Sequence, residues 1–93
     1  PTTFELNDNY PNPFNPSTTI HYGLPEDAQI SLVIYDILGR EVSTLVSEVQ
    51  EAGWYDVRWY GLDESGRPMS AGIYLLRIQT QNFVEVKRMI LVR

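Results

Sequence analysis

The chain has no cysteine among its 93 residues, and it holds a single histidine. The absence of cysteine excludes disulfides, iron–sulfur clusters and zinc sites of the cysteine type. Cations are scarce as well, since 7 lysine and arginine residues stand against 12 aspartate and glutamate residues and give a net charge of −5. Nucleic-acid affinity depends on basic side chains that neutralise phosphates, so no nucleic acid is expected as a partner.

Long hydrophobic runs are also missing. No stretch approaches the ~20 apolar residues that span a bilayer, so no membrane insertion is expected. The segment Pro1–Leu6 has neither the basic start nor the apolar run of a signal peptide, so any export signal is expected elsewhere. A chain that begins at proline instead of methionine is expected to be part of a longer protein.

The residues that are present describe one small folded domain. Apolar residues make up 43% of the chain and aromatic residues 12%, which is typical of a globular protein and argues against disorder. A length of 93 residues fits one domain and leaves little room for an enclosed active site. The charge is uneven, because the stretch Arg77–Arg93 is basic and contains only one acidic residue, Glu85.

Apolar and polar residues alternate with period two along most of the chain, which predicts short β-strands. The predicted strands are Thr3–Leu6, Ser17–Leu24, Ala28–Tyr35, Glu41–Glu48, Tyr55–Tyr60, Tyr74–Ile78 and Phe83–Val92. In Glu41–Glu48 the apolar spacing also permits a short helix. In Phe83–Val92 the alternation slips, which predicts a bulge near Lys87. About seven strands with frequent turn signals predict an all-β fold, an immunoglobulin-like antiparallel β-sandwich.

Composition divides the chain into two parts. Residues 1–16 form a proline- and asparagine-rich N-terminal segment, which is expected to be extended with an edge strand at its start. Tyr10 and Phe14 are the large side chains of its irregular crossing, so both are expected to anchor it onto the body. Residues 17–93 are expected to form the sandwich body and to end in a basic C-terminal strand.

No group of residues predicts catalysis or a cofactor. His21 lies on the polar side of a strand, and spacing ties no serine or acid to it, so a structural or solvent-facing role is favoured and no enzyme is expected. The loop with Asp63 and Glu64 is a weak calcium candidate, because two carboxylates fall short of the oxygen ligands that calcium takes. A tight turn with Gly66 at positive φ is the favoured interpretation, so no metal is expected.

The aromatic residues around the fifth predicted strand have two interpretations. The phase of the strand favours Tyr55 and Trp59 in the core, as in most sandwiches. Trp54 and Tyr60 take the outward phase, where an exposed ring could stack on a sugar. A carbohydrate-binding or spacer module of a secreted multidomain enzyme is therefore an alternative function.

The segment Lys87–Arg93 is an apolar strand bounded by cations. It could be a last strand protected by charged gatekeepers. It could also be a docking element that a partner reads through β-augmentation or in an acidic groove. The residues alone favour neither interpretation.

Several stretches in order along the chain carry a resemblance to a known family. They are Asn9–Ile20, Ile34–Val42, Gly61–Pro68 with Ala71–Tyr74, and Lys87–Arg93. Together they resemble the type IX (Por) secretion system C-terminal sorting domain, type A, although many of its members end in lysine where this sequence has Arg93. The family's structural motif corresponds to Tyr10, Pro11, Asn12, Pro13, Phe14, Asn15 and Pro16, with Tyr35, Asp36, Gly39 and Arg40. The middle loop also resembles the immunoglobulin-like domain of flagellar hook-capping proteins.

The resemblance implies a non-catalytic sorting signal linked to the C-terminal side of a larger cargo protein. Members of the family belong to secreted proteins of Bacteroidetes-like bacteria and fold in the periplasm. An outer-membrane translocon and its shuttle protein recognise them, and a surface sortase commonly removes them. The cargo is then expected on the outer-membrane surface or outside the cell, and no cofactor is implied.

The resemblance also implies which residues the translocon recognises. Members carry the essential signal in the final strands, which correspond here to Gly72, Tyr74, Lys87, Arg88, Met89, Ile90, Leu91, Val92 and Arg93. We expect the last strand to present an unpaired edge to the receptor, through strand pairing and charge. The same edge could pair with a second copy, so a homodimer through edge strands is considered as well. A hook-cap-like structural domain is a third possible function.

Overall fold

The computed structural model describes the whole chain, Pro1–Arg93, and its regular structure consists of strands without helices. The strands are β1 (Glu5–Leu6), β2 (Thr18–Leu24), β3 (Ala28–Asp36), β4 (Glu41–Gln50), β5 (Gly53–Trp59), β6 (Gly72–Gln79) and β7 (Val84–Leu91). A 3-stranded sheet has the order β1-β2-β5 and a 4-stranded sheet the order β4-β3-β6-β7. All neighbouring strands are antiparallel. The predicted all-β immunoglobulin-like sandwich is confirmed.

The core lies between the two sheets and is built from alternate residues of the central strands. Successive side chains of a strand point to opposite faces, so period-two patterning produces one apolar face per sheet. The fully buried side chains include Ile20, Tyr22, Leu24, Ile30, Leu32, Ile34, Leu76, Ile78, Met89 and Leu91. Burying one such side chain contributes about 1.5–3 kcal/mol relative to leaving it in water, which allows a cysteine-free domain to fold.

Strand β4 is longer than predicted, and the alternative of a short helix is wrong. Its pairing with β3 shifts register twice, between Leu32 and Val33 and between Ile34 and Tyr35. Each shift places an extra residue in β4, and a bulge of this kind turns the following side chains to the other face. These irregularities explain why the apolar residues of β4 do not follow a strict period of two.

The predicted bulge near Lys87 is wrong. Strand β7 pairs with β6 in one unbroken register, from Gly72 opposite Leu91 to Gln79 opposite Val84. The apolar pattern slips for another reason, because the inner face of β7 is buried near the C-terminus but only partly buried near the start of the strand. Near the C-terminus the inner side chains are buried, whereas near the start of β7 the apolar side chains lie on the outer face.

The N-terminal segment is anchored by one of the two predicted side chains. Phe14 is 1% exposed and belongs to the core, as predicted. Tyr10 is 80% exposed, so its predicted anchoring role is wrong. Its backbone instead exchanges hydrogen bonds with Thr19, at 3.0 and 2.9 Å. Residues directly opposite in a ladder share a face, so this bridge places Tyr10 on the outer side of the 3-stranded sheet.

A buried asparagine holds the turn at the start of this crossing. Asn9 is 3% exposed, and its side-chain amide donates to Thr18 Oγ1 at 3.0 Å and to the carbonyl of Pro11 at 3.3 Å. The Thr18 hydroxyl donates to the same carbonyl at 2.8 Å. The peptide bonds that precede Pro11, Pro13 and Pro16 are cis.

Candidate functional site

The predicted recognition strand β7 forms one edge of the 4-stranded sheet. Met89 and Leu91 are 0% and 1% exposed and pack in the core. These two predicted recognition residues therefore hold the strand in place, and a receptor cannot touch their side chains while the domain is folded.

The C-terminal half of the β7 edge is covered by the N-terminal segment. Asn12 Oδ1 accepts the backbone N–H of Ile90 at 3.0 Å, and Asn12 Nδ2 donates to the carbonyl of Arg88 at 3.3 Å. The backbone of Phe14 then donates to the carbonyl of Ile90 and accepts from the N–H of Val92, both at 2.9 Å. We call residues 12–14 the latch. The expectation of a wholly unpaired β7 edge is wrong, because the latch occupies its backbone groups from Arg88 to Val92.

Two of the terminal cations are held by groups of the domain itself. Lys87 Nζ lies 3.1 Å from Asp8 Oδ1 and 3.4 Å from Glu85 Oε2. The hydrogen bond to Asp8, followed by the one to Glu85, raises the pKa of Lys87. Arg93 donates through Nε and Nη2 to the carbonyl of Met69, at 2.9 and 2.5 Å.

Arg88 is the terminal cation that stays free. Its side chain is exposed and makes no hydrogen bond or ion pair within the domain. A charge without an internal partner is available to an external one at little desolvation cost, so Arg88 is the most accessible cation of the predicted recognition set.

Tyr74 has a structural role. It is 5% exposed, its hydroxyl donates to the carbonyl of Ser70 at 2.6 Å, and its ring meets Trp59 edge-on with 5.3 Å between centroids. Burial raises its pKa. Gly72 and Tyr74 lie opposite Leu91 and Met89 in the ladder, so they support β7 from the neighbouring strand.

The outer side of the β6–β7 hairpin carries exposed apolar residues next to a cation. We call this set the hairpin face; it consists of Ile73, Val84, Val86, Arg88 and Val92. The exposed fractions of its four apolar members lie between 36% and 56%. Clustered exposed apolar side chains with arginine are typical of protein interfaces.

The two loops that carry candidate carboxylates form the same turn. In one, Asp36 Oδ1 accepts the backbone N–H of Leu38 and of Arg40, and Asp36 Oδ2 accepts Arg40 Nε at 2.8 Å. In the other, Asp63 makes the equivalent three bonds to Ser65 and Arg67. The glycines of the two turns have φ values of 86° and 85°, a conformation that favours glycine. The repeated sequence pattern Asp-x-x-Gly-Arg could have revealed this likeness.

These bonds explain the electrostatics of the turns and weaken the calcium hypothesis. The backbone hydrogen bond from Arg40 is the largest cause that lowers the pKa of Asp36, and the one from Arg67 acts in the same way on Asp63. Glu64 Oε1 accepts the backbone N–H of Thr44 at 2.5 Å. The structure contains no cluster of three or more side chains suited to hold a metal.

His21 and Trp54 form a stacked pair on the outer side of the 3-stranded sheet. Their ring centroids lie 5.0 Å apart at an interplanar angle of 7°, and His21 Nδ1 lies 2.5 Å from Asp56 Oδ1. The indole also occupies the space above Gly23, where an added Cβ would lie 2.5 Å from Trp54 Cζ3. His21 therefore supports the exposed ring of Trp54 on the sheet surface.

The other aromatic residues follow their predicted phases. Trp59 is 2% exposed and its indole N–H donates to the carbonyl of Leu62 at 3.0 Å. Tyr55 packs against the core and stacks on Tyr22 at 5.4 Å. Trp54 and Tyr60 are 49% and 56% exposed, so both remain accessible to a ligand.

Two antiparallel sheets around one apolar core place the protein in the class of immunoglobulin-like β-sandwich domains. More specifically, the chain belongs to the family of the FlgD Ig-like domain, whose family model matches residues 12–82. The predicted likeness to the hook-cap domain is thereby confirmed. A search of curated proteins finds no match.

Solved structures share this fold. Dimeric latent PorU from Porphyromonas gingivalis aligns with a TM-score of 0.76 at 22% identity, over 99% of this chain and 9% of PorU. PorZ, described as an essential surface component of the type-IX secretion system of the same organism, aligns at 0.65 and 23% identity over 92% of this chain and 11% of its own. FlgD from P. aeruginosa aligns at 0.61 and 25% identity, over 80% and 58%. The chain thus spans a small part of PorU and PorZ.

No part of the structure forms a helix that is long and apolar enough to cross a membrane.

Proposed function

We propose that this domain is a non-catalytic C-terminal sorting signal, which directs a larger cargo protein through the type IX outer-membrane translocon. One observation supports the proposal most directly. The proline–asparagine block and the basic terminal strand are the two ends of the resemblance to the sorting family, and they meet in space as the latch and β7. The position of each end of the motif therefore depends on the other end.

The partners of this role are the translocon, its outer-membrane shuttle protein and the surface sortase. The domain folds in the periplasm while linked to its cargo, and the sortase then separates it at the outer-membrane surface or releases the cargo outside the cell. A fold shared with regions of PorU and PorZ is consistent with this setting.

The folded domain offers side chains to its receptor more readily than a backbone edge. The latch occupies the backbone groups of the terminal half of β7. The hairpin face remains open, and Arg88 and Val92 are its members within the predicted signal. Recognition therefore rests on the outward side chains, with Arg88 providing charge and the valine apolar contact.

A reporter experiment tests the proposal. Residues 1–93 are fused behind an exported fluorescent protein in a host that has the type IX machinery, and surface or medium fluorescence is measured. The intact fusion is expected outside, whereas R88E with V92D is expected to remain in the periplasm. The matched control R58E changes an exposed arginine on the opposite sheet and should leave delivery unchanged. Delivery of the R88E/V92D fusion at the normal level would refute recognition through the hairpin face.

Surface substitutions are preferable to deletion of the tail in this test. Removing Lys87–Arg93 also removes Met89 and Leu91 from the core, so the truncated domain would fail to fold whatever its signal. Retention of the intact fusion in the periplasm would refute the sorting role itself.

The domain has no catalytic role in this proposal. His21 is committed to Asp56 and to the indole of Trp54 on an open sheet surface. A hydrolase requires in addition a positioned nucleophile and oxyanion donors around the base. The expected observation is that the purified domain shows no hydrolytic activity with ester or peptide substrates.

A carbohydrate-binding or spacer module is the second candidate function, and the exposed Trp54 favours its binding form. Trp54 and Tyr60 lie six positions apart, about 20 Å along an extended strand, so they do not form one platform for a single sugar. Pull-down on insoluble polysaccharide, with W54A and Y60A as variants, tests this function. Binding that is lost in W54A would support it, and absence of binding by the native domain would leave only the spacer form.

A further inference from the structure

The latch covers only part of the β7 edge. The N–H and C=O of Ile90 bind the latch. Both groups therefore point away from β6. The register of β7 is unbroken, and the outward direction of these groups repeats at every second residue of an antiparallel strand. The backbone groups of Val84 and Val86 therefore point outward as well, and no hydrogen bond outside the sheets or from a side chain involves them.

We propose that this free half-edge, Val84–Arg88, pairs antiparallel with the same half-edge of a second copy of the chain, around a two-fold axis at Val86. This pairing does not depend on the proposed sorting function. A second copy fits this edge by charge, because the register places Glu85 of each copy directly opposite Lys87 of the other. Lys87 contacts Asp8 and Glu85 of its own chain, and the third donor of its ammonium group is left for Glu85 of the second copy. Opposite charges facing each other across a ladder are favourable, and like charges are not.

The neighbouring registers are less favourable. A shift of the axis by one residue would place Glu85 opposite Glu85, or Lys87 opposite Lys87, which brings like charges together. A shift by two residues toward the C-terminus would meet the latch, and one toward the N-terminus would meet the turn before β7. The latch and the charges thus select one register.

The same register satisfies the backbone and covers apolar surface. Val86 faces Val86 of the second copy, and Arg88 faces Val84, so about four inter-chain hydrogen bonds form. The carbonyl of Arg88 is excluded from this number because Asn12 already binds it. Val84 and Val86, which are 56% and 50% exposed, share the outer side of the joined sheets, where Val86 meets Val86 of the second copy and Val84 lies diagonal to it. The pairing is isologous, as most homodimers are.

Charge reversal tests the pairing in the complete 93-residue chain. In sedimentation equilibrium, the weight-average mass of the native chain should rise from 10.7 kDa toward twice that value as concentration increases. K87E and E85K should each weaken dimerisation about tenfold or more, and the double variant E85K/K87E should restore it. The control R58E changes net charge as much as K87E does and should dimerise normally.

A cross-link gives a second test that does not depend on the stability of charge variants. The chain contains no cysteine, so V86C introduces a unique thiol. Across the proposed axis the two Cα atoms lie about 5.5 Å apart, within the range of a disulfide. V86C should therefore cross-link much faster than V49C, which places a thiol at an exposed residue on the opposite edge strand β4.

Three outcomes would overturn the proposal. The first is a native chain that stays monomeric up to about 1 mM, the concentration at which even weak contacts are populated. The second is equal cross-linking rates for V86C and V49C, and the third is a dimer that neither single charge reversal weakens.

Discussion

Asn12 and Ile90 lie 78 positions apart in sequence, and Asn12 Oδ1 accepts the backbone N–H of Ile90 at 3.0 Å. The second atom of the amide, Nδ2, reaches the carbonyl of Arg88. The side chain thus serves the edge of β7 as a peptide group of a neighbouring strand would, with one donor and one acceptor.

Substitution of this asparagine should loosen the strand end. N12A removes two hydrogen bonds at an exposed position where water can replace them, so we expect a loss of about 1 kcal/mol in the free energy of unfolding. Urea denaturation measures this loss, and hydrogen exchange at the Ile90 amide should accelerate at the same time. N15A is the matched control, because Asn15 is exposed and its side chain makes no hydrogen bond. Unchanged protection of Ile90 in N12A would contradict the role of the latch.

The two aromatic residues of the N-terminal block should differ sharply in their contribution to stability. F14A empties a 1% exposed site next to Trp59 and Leu91, and we expect it to cost about 3–5 kcal/mol. Y10A truncates a side chain that is 80% exposed, so its effect should lie within about 0.5 kcal/mol. Urea denaturation of both variants checks the contrast, with F14L as a milder variant if F14A does not fold. Equal losses would show that Tyr10 anchors the segment after all.

The two Asp turns should make the domain sensitive to acid. Hydrogen bonds hold the pKa of Asp36 and Asp63 below the ordinary value, so below about pH 4 the unfolded chain binds more protons than the native one. The stabilisation from these turns is present above the unfolded-state pKa and is lost as the pH falls through the lower folded-state values. In D36N/D63N, Tm should therefore fall less steeply between about pH 5 and pH 2.

E26Q is the control for this acid prediction, since Glu26 is exposed and its side chain makes no hydrogen bond. Its Tm profile should run parallel to that of the native chain. A profile of D36N/D63N that also runs parallel would show that the turns do not contribute to the pH dependence.

Gly23 and Trp54 should show a coupling that reverses sign. In the native chain G23A places a Cβ within 2.5 Å of the indole and forces the ring off His21, so it should lower stability. In a W54A background the same change meets open space, and alanine should then stabilise the strand by about 0.5–1 kcal/mol relative to glycine. A double-mutant cycle by urea denaturation measures the coupling, and additive effects would contradict it.

A strand could be predicted from its alternating pattern where its inner face is buried along the whole length. Strand β2 runs from Thr18 to Leu24, one residue shorter than the predicted Ser17–Leu24, and its inner residues are all buried. In β7 the inner face is buried only near the C-terminus. The periodicity does not show where this burial ends, so the sequence predicted a bulge that the structure lacks.

Contacts between particular residues of different segments could not be predicted from the sequence. The hydrogen bonds of Asn12 to β7 join the two ends of the chain, and no periodicity connects residues so far apart. The position of Tyr10 on the outer sheet surface depends likewise on a single bridge to Thr19. The sequence indicated the motif residues, therefore, but not their spatial relation.

The latch also makes the fold a check on chain completeness. A ribosome delivers the N-terminal segment first, yet the latch within it has no strand to pair with until residues 88–92 have been made. A product that stops short of Arg88 lacks both this edge and two buried core side chains, Met89 and Leu91. A domain that must fold before it is recognised would thus admit finished polypeptides and leave prematurely terminated ones behind.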